Sequence, residues 1–207
     1  MKRLFRFAAV ACIALILTGT LVVGHYVVLG YRMYQDAVFV QNVEEKAGQI
    51  RCRDDYIAFD DISETFLDEL LYREDRNFYS HSGVDLVAIA RAAWHDLQAG
   101  RYVEGGSTIT QQLAKNLYFS SEKELERKVA ELFVAFELER LFTKKEILEL
   151  YCNVVYFGEG CYGIDEAAQH YYGVAAADLN EEQAEALVYT LKCPGYYNPN
   201  ARLTAEN

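Results

Sequence analysis

The sequence predicts a mainly α-helical protein, with one helix long enough to cross a membrane ahead of a single helical domain. Residues 7–31 contain no formally charged side chain. In the rest of the chain apolar residues recur at helical spacing, and no clear run shows the alternation typical of strands. The two prolines, which would interrupt helices, are Pro194 and Pro199, close to the end. These three observations favour helices throughout.

The uncharged segment 7–31 predicts a membrane anchor. As a helix it would be about 37 Å long, whereas the hydrocarbon core of a bilayer is roughly 30 Å thick. Three basic residues precede it and one follows closely, namely Lys2, Arg3, Arg6 and Arg32. The positive-inside rule then places the N-terminus in the cytoplasm and the later residues outside. A cleaved signal peptide is the alternative, but its apolar region would be shorter and would end at small residues.

Three parts are predicted along the chain. Residues 1–31 form a cytoplasmic stub and the anchor, 32–61 form a polar, irregular linker, and 62–207 form the domain. Spacing and capping residues predict helices in the domain at 63–73, 85–99, 122–141, 144–152 and 181–192. Capping boxes beginning at Ser121 and Thr143 open two of them. The helix at 85–99 is expected to pack an apolar face made of Leu86, Ile89, Ala90, Ala93 and Leu97.

The chain is acidic, with a formal net charge of −11. A nucleic-acid binder would normally carry a basic face, so that class of protein is disfavoured. An acidic protein that handles an anionic ligand must gather its cations locally, and the sequence has such a cluster at Lys115, Lys123, Arg127 and Lys128. The four cysteines beyond the anchor can be buried thiols or form disulfides, for example between Cys152 and Cys161.

Glycines, small hydroxyl residues, amides and a closing lysine follow one another over residues 104–116. Ser107 and Thr108 stand where side-chain oxygens can cap the start of a helix. Gln111 and Lys115 are four residues apart and share one face of that helix. This polar surface suits a sugar or phosphate ligand, although a Gly-Gly-Ser-Thr run alone more often only starts a helix.

Acidic, basic and aromatic residues are concentrated between two predicted helices, at 73–85. An acidic pair in a loop is usually solvated. Glu74, however, ends a helix with an apolar face, and Phe78 follows it four residues later. Partial burial raises the pKa of a carboxyl group toward the range in which a general base works. His81 is expected to hold this loop in place.

A third motif lies on the predicted helix over 122–141. Lys123, Arg127 and Glu131 recur every four residues and therefore share one face. On an ordinary helix such a row is an exposed salt-bridge ladder, worth only a few tenths of a kcal/mol per pair. The same helix also carries Leu132, Phe133 and Phe136, and the functional interpretation of the row depends on the resemblance described next.

These three motifs resemble the first three signatures of the peptidoglycan glycosyltransferases. That family covers monofunctional transglycosylases and the polymerase domain of bifunctional penicillin-binding proteins. The first signature is Glu-Asp-x-x-Phe-x-x-His-x-Gly-x-Asp, and two further ones resemble 145–153 and 163–173, both expected to be structural. The resemblance runs from about Leu70 to Pro199, with departures at Asn77, Cys152, Tyr172 and Val174.

The resemblance implies a lysozyme-like α fold and a reaction that polymerises lipid II, with inversion and release of undecaprenyl pyrophosphate. It assigns catalytic roles to Glu74, as the base, and to Glu131. It assigns substrate binding to Asp75, Ser107, Thr108, Gln111, Gln112, Lys115, Asn116, Lys123, Arg127 and Lys128. No metal site of the protein itself is expected, but a divalent cation, Mg²⁺ or Mn²⁺, is expected with the pyrophosphate.

The expected partners are lipid II, the growing glycan chain, the lipid bilayer of the cell membrane and a separate transpeptidase, with no nucleic acid. Two alternatives remain. A lysozyme-like peptidoglycan hydrolase or lytic enzyme would also use one glutamate, but would need neither a pyrophosphate site nor an anchor. A non-catalytic membrane scaffold of the cell-wall machinery would tolerate the loss of Glu74.

Overall fold

The computed structural model describes residues 2–101, 103, 105–119 and 125–201. Its helices are α1 (Lys2–Val40), α2 (Val43–Arg51), α3 (Glu64–Glu74), α4 (Leu86–Ala99), α5 (Ile109–Tyr118), α6 (Leu125–Leu141), α7 (Lys144–Val154), α8 (Ile164–Tyr172), α9 (Glu181–Thr190) and α10 (Pro194–Tyr197). Short 3-10 turns lie at Phe59–Asp61, Phe78–Ser80 and Ala176–Asp178. Within the described residues the β structure is one bridge, between Tyr156 and Tyr162. The mainly helical fold class is confirmed.

The core of the domain lies where α5, α6 and α7 pack against one another and where α3 packs against α9. One leucine from each of α5, α6 and α7 is fully buried in one continuous apolar cluster, namely Leu113, Leu138 and Leu148. From α3, Phe66 joins the same cluster, with its ring 6.2 Å from that of Phe157. This packing holds the end of α3 beside α5, which is where the candidate site forms.

Side-chain caps begin most of the domain helices, as the sequence predicts. A side-chain oxygen accepts a hydrogen bond from a free N–H group of the first turn at each of five N-caps, Ser63, Asp85, Thr108, Thr143 and Asn180. Such caps typically stabilise a helix by about 1 kcal/mol. The predicted box at Ser121 lies outside the described residues, and α6 is described from Leu125.

The apolar face of α4 is not packed in the domain core, which corrects the prediction for this helix. Leu86 and Leu97 are each 74% exposed, and Trp94 is 58% exposed. Ala92 is the one buried residue of α4. The helical period identified an apolar stripe correctly, but a period says nothing about what covers the stripe.

The prediction of an irregular linker at 32–61 is wrong for much of this segment, which is helical. Helix α1 continues to Val40, and α2 follows after a break of two residues. Val43, Ala47 and Ile50 of α2 are buried in the core cluster. These three apolar residues lie four and three apart on one helical face, but charged neighbours obscured the pattern.

Helix α1 contains the one segment among the described residues that is long and apolar enough to cross a membrane, at Val10–Val40. Its later turns pack along α6. The ring of Tyr31 lies 5.1 Å from that of Phe133, and the Tyr34 hydroxyl donates to Glu137 Oε2 at 2.7 Å. Gly30 is buried where the two helices cross. Helix α1 and the domain are therefore joined by direct side-chain packing.

Replacing Gly30 by alanine is expected to lower the free energy of unfolding by about 1–3 kcal/mol, the usual cost of overpacking. A Cβ at this position would lie 2.5 Å from Val129 Cβ and 2.8 Å from the carbonyl oxygen of Glu126. Thermal unfolding of the full chain in detergent measures the effect. Gly24→Ala is the matched control, because a Cβ there meets nothing within 4 Å. Equal stability of the two variants would contradict a tight crossing.

Candidate active site

Glu74 is the last residue of α3 and is half-buried. Its Oε2 accepts a hydrogen bond from Gln112 Nε2 of α5 at 2.8 Å. Gln112 Oε1 in turn accepts from the hydroxyl of Tyr151 of α7 at 2.9 Å. The packing of α3, α5 and α7 thus brings a carboxylate, an amide and a phenol into one row.

Burial raises the pKa of Glu74 above its ordinary value, and the negative charge of Asp75 adds to the rise. The hydrogen bond from Gln112 and the positive charge of Lys192 act in the opposite direction. A carboxyl group with a raised pKa binds protons more strongly than a solvated one, which suits a general base. The geometry therefore fits the base predicted at this position.

Asp75 is buried and ties the loop after α3 to the start of α5. Its carboxylate lies 3.0 Å from His81 Nε2 and accepts from the backbone N–H of Ile109 at 2.9 Å. His81 Nδ1 accepts from the N–H of Gly83 at 3.2 Å, so Nε2 carries the proton that is donated to Asp75. Asn77, one of the departures, donates to Asp85, the N-cap of α4. The loop is held by these contacts.

Thr108 and Gln111 are also buried, and together they form the capping box that opens α5. The hydroxyl of Thr108 donates to the carbonyl of Gly83 at 2.7 Å. Asp75, Thr108 and Gln111 were predicted to bind substrate, and this stays a prediction. In the structure the carboxylate of Asp75, the hydroxyl of Thr108 and the amide oxygen of Gln111 make hydrogen bonds within the fold that hold the first turn of α5 in position.

Cations gather around one buried carboxylate on α6. Glu131 is 1% exposed, and it pairs with Arg127 and with Lys128, whose Nζ lies 2.9 Å from Oε2. The same ammonium donates to Ser107 Oγ at 2.8 Å, which connects α6 to the segment before α5. Both oxygens of Glu131 are thus occupied, and its position holds two cations on one face.

Lys115 of α5 completes the described part of this cation cluster, which we define as Lys115, Arg127 and Lys128. Partial burial lowers the pKa of Lys115, and the nearby charge of Arg127 lowers it further. Burial, followed by the charges of Arg127 and Lys115, lowers the pKa of Lys128 to about 8. The cluster contains three cations and one neighbouring carboxylate, Glu131, which pairs with Arg127 and Lys128, so it retains positive charge for an anion.

Gln112 and Lys115 are three residues apart on α5, and one helix face therefore links the carboxylate of Glu74 to the cation cluster. Asn116 follows on α5 and is exposed. Lys123, the remaining predicted binding residue, lies outside the described residues. Sequence reasoning missed Tyr151 and Lys192. A tyrosine within the apolar string of α7 was the available signal for the first, whereas Lys192 enters only through the packing of α9 on α3.

Among the described residues no group of three or more His, Cys, Asp or Glu side chains is close enough to hold a metal ion. Among the described residues the oxygens of Glu131 are engaged by Arg127 and Lys128. The divalent ion that accompanies the pyrophosphate stays a prediction. All five cysteines are unpaired, with Cys152 and Cys161 buried.

A half-buried carboxylate held by Gln112 and a partly exposed cation cluster, linked by one face of α5, suit the transfer of a group from an anionic leaving group. A family model described as Transglycosylase matches residues 42–207. The chain belongs to this family.

Relatives of two lengths are similar to the chain. Penicillin-binding protein 1A of Aquifex aeolicus is 49% identical over 70% of this chain and 20% of its own length. The biosynthetic peptidoglycan transglycosylase of Nitrosospira multiformis is 38% identical over 78% of this chain and 70% of its own length. The biosynthetic peptidoglycan transglycosylase of Janthinobacterium sp. is 40% identical over 75% of this chain and 68% of its own length. The chain thus spans a fifth to a quarter of the first penicillin-binding proteins it matches.

The family membership confirms the resemblance on which the sequence analysis relied. It also confirms the predicted enzyme class, a peptidoglycan glycosyltransferase. The match begins at residue 42, within the segment that had been predicted as linker, in keeping with the buried face of α2.

Proposed function

We propose that this protein polymerises lipid II into the glycan strands of peptidoglycan. The observation that best supports the proposal is the face of α5, where Gln112 holds Glu74 and Lys115 lies beside the cations of α6. Residues three apart on a helix have Cβ atoms about 5–6 Å apart. One of these residues holds the proposed base and the other lies beside the proposed anion site, an arrangement that suits the two ends of a single displacement.

In the proposed reaction Glu74 accepts the proton of the 4-hydroxyl group of the acceptor N-acetylglucosamine. That oxygen attacks C1 of the donor N-acetylmuramic acid, and the bond from C1 to the pyrophosphate oxygen breaks. The electron pair leaves with undecaprenyl pyrophosphate. Attack from the face opposite the leaving group converts the α linkage into a β linkage. The raised pKa of Glu74 supports its role as the proton acceptor.

The leaving group departs as an anion, so it needs positive charge rather than a proton donor. In the proposal Lys115, Arg127 and Lys128 supply this charge, with Lys123 as a further predicted member. Glu131 has a positioning role, because both of its oxygens hold cations. A divalent ion, if it takes part, would take its ligands from the pyrophosphate.

The proposal places the protein in the cell membrane with α1 as a single-pass anchor, the N-terminus in the cytoplasm and the domain on the outer face. The length and composition of the apolar segment support the anchor, and the basic residues Lys2, Arg3 and Arg6 before it support the orientation. An anchored enzyme and a lipid-linked substrate share one bilayer, which favours their encounter. Glycosyl transfer forms no peptide bond, so cross-linking of the strands would fall to a separate transpeptidase.

The affinity for the pyrophosphate group is expected to fall as the pH rises above about 8. Lys128, with its pKa lowered to about 8, is charged below that pH and loses its proton above it. An anion binds the charged form, so the KM for lipid II should increase between pH 7 and pH 9. Lys128→Arg stays charged over this range and should flatten the increase. The same increase in wild type and in Lys128→Arg would contradict the assignment.

The proposed function is tested with the purified full chain in detergent, given lipid II in one reaction and finished glycan strands in another. We expect long glycan chains and one undecaprenyl pyrophosphate per bond from the first reaction, and intact strands from the second. Short fragments released from the strands would favour the hydrolase. Turnover of neither substrate would favour the scaffold.

A further inference from the structure

We propose that Tyr151 is a positioning residue for the base, and that it acts through Gln112 to fix the orientation of the Glu74 carboxylate. The inference rests on the proposed function, in which Glu74 is the base. It concerns the row of three side chains formed by Tyr151, Gln112 and Glu74.

The hydroxyl of Tyr151 donates a hydrogen bond to Gln112. The side chain is fully buried in α7, and a buried hydroxyl without a partner is costly. Its partner is Gln112 Oε1, at 2.9 Å. Burial raises the pKa of Tyr151 well above its ordinary value, and the charge of Glu74 adds to the rise, so the phenol keeps its proton. A phenol that keeps its proton can donate a hydrogen bond at every working pH.

The amide of Gln112 has two ends of nearly equal shape, and its neighbours decide which end points where. Tyr151 donates to the oxygen end, so the nitrogen end faces Glu74 at 2.8 Å. A flipped amide would bring its oxygen against the carboxylate oxygen of Glu74, where two acceptors repel. Donation by Tyr151 also polarises the amide and strengthens its own donation to Glu74.

The charged and polar groups around Glu74 come from each element packed against it. Gln112 approaches from α5, Tyr151 lies behind it on α7, Lys192 follows α9, and Asp75 is the next residue in the chain. Within the described part of the chain, the hydrogen bond from Gln112 is the direct one, and Lys192 acts through space. Among the described residues none donates a hydrogen bond to Glu74 Oε1, so this oxygen can accept from the acceptor hydroxyl. Weakening the Gln112 contact therefore removes the main restraint on the carboxylate.

Removing the Tyr151 hydroxyl should have a defined electrostatic effect. A hydrogen bond to an ionised carboxylate stabilises the charged form and lowers its pKa. Without the hydroxyl the amide of Gln112 can rotate, this stabilisation weakens, and the pKa of Glu74 rises further. A residue that only fills the core would not change the titration of Glu74 when its ring is kept.

The experiment compares wild type with Tyr151→Phe, using the full chain in detergent. The carboxyl carbon of Glu74 is followed by NMR during a pH titration and is assigned by its absence in Glu74→Gln. We expect its pKa to rise by about half to one pH unit. The acidic limb of kcat/KM should move by the same amount. The kcat should fall about 2- to 10-fold while the KM for lipid II changes by less than about twofold.

Tyr171→Phe is the matched control, because its hydroxyl donates to the carbonyl of Phe157 at 3.0 Å, within the fold. It removes the same atom and should leave the titration of Glu74 unchanged. Gln112→Leu should raise the pKa of Glu74, and adding Tyr151→Phe to it should cause no further shift, since the two residues act in series.

An unshifted titration in folded Tyr151→Phe, or an equal shift in Tyr171→Phe, overturns the proposal. If Tyr151→Phe does not fold, Gln112→Leu decides, and the absence of a shift in that variant also overturns it. The NMR titration needs no turnover. A shift in a protein that does not polymerise lipid II would leave Tyr151 as a positioning residue and reject the proposed function.

Discussion

Replacing Glu74 by glutamine is expected to slow the polymerisation of lipid II by about 10²- to 10⁴-fold, the usual loss when a general base is removed. The amide has the same shape, and its oxygen can still accept from Gln112 Nε2, which donates to Glu74 at 2.8 Å. It cannot take a proton from the acceptor hydroxyl. The measurement is the rate of glycan formation at saturating lipid II.

The fold should survive this change. A partly buried carboxylate has lost some of its hydration, so a neutral amide should leave the unfolding temperature equal or higher. Glu69→Gln is the matched control on the same helix, because Glu69 pairs with Arg73 at the surface. It should polymerise at the wild-type rate. Turnover by Glu74→Gln within about threefold of wild type would be incompatible with a rate loss of this size.

The second large effect is expected at the cation cluster. Lys115→Ala should reduce polymerisation about 10- to 150-fold, because a charge-assisted hydrogen bond contributes about 1.5–3 kcal/mol. Within the described residues the Lys115 ammonium has no carboxylate partner, and its pKa is lowered by burial and by Arg127. Its removal therefore breaks no ion pair of the described fold. The rate is measured with lipid II and the fold is checked by circular dichroism.

Two further variants serve as controls, one at position 115 and one at a surface lysine elsewhere. Lys115→Arg keeps the charge and should lose much less activity than Lys115→Ala. Lys145→Ala removes an exposed lysine that pairs with Asp60 at the surface, and should be neutral. A near wild-type rate for Lys115→Ala would place the leaving group elsewhere.

Local sequence signals predicted the helices and their beginnings. Thr143, Thr108 and Asn180 cap helices in the structure as their spacing from Glu146, Gln111 and Gln183 indicates. A capping box works within four residues, so the sequence contains all of it. The raised pKa of Glu74 was also predictable, because a helix with an apolar face leads directly into it.

Features that depend on distant packing were not predictable in the same way. Thr108 and Gln111 have the polarity of ligand-binding residues, yet both are buried, and the hydroxyl of Thr108 donates to the carbonyl of Gly83. The apolar stripe of α4 was predicted from the helical spacing of its residues, but that spacing does not show which part of the protein packs against the stripe. Tyr151 lies 39 residues from Gln112 in the chain, and only the packing of α5 on α7 joins them.

The continuous helix α1 has a geometric consequence for the whole protein. It packs on α6 at Gly30, beside Glu126 and Val129, and α6 also carries Arg127 and Lys128 of the cation cluster. With the preceding turns in a bilayer, the number of residues between the membrane surface and Gly30 sets the height of the site above the membrane. Each residue added there would lift the domain by about 1.5 Å. The length of α1 thus determines how far from the bilayer a substrate must reach to enter the site.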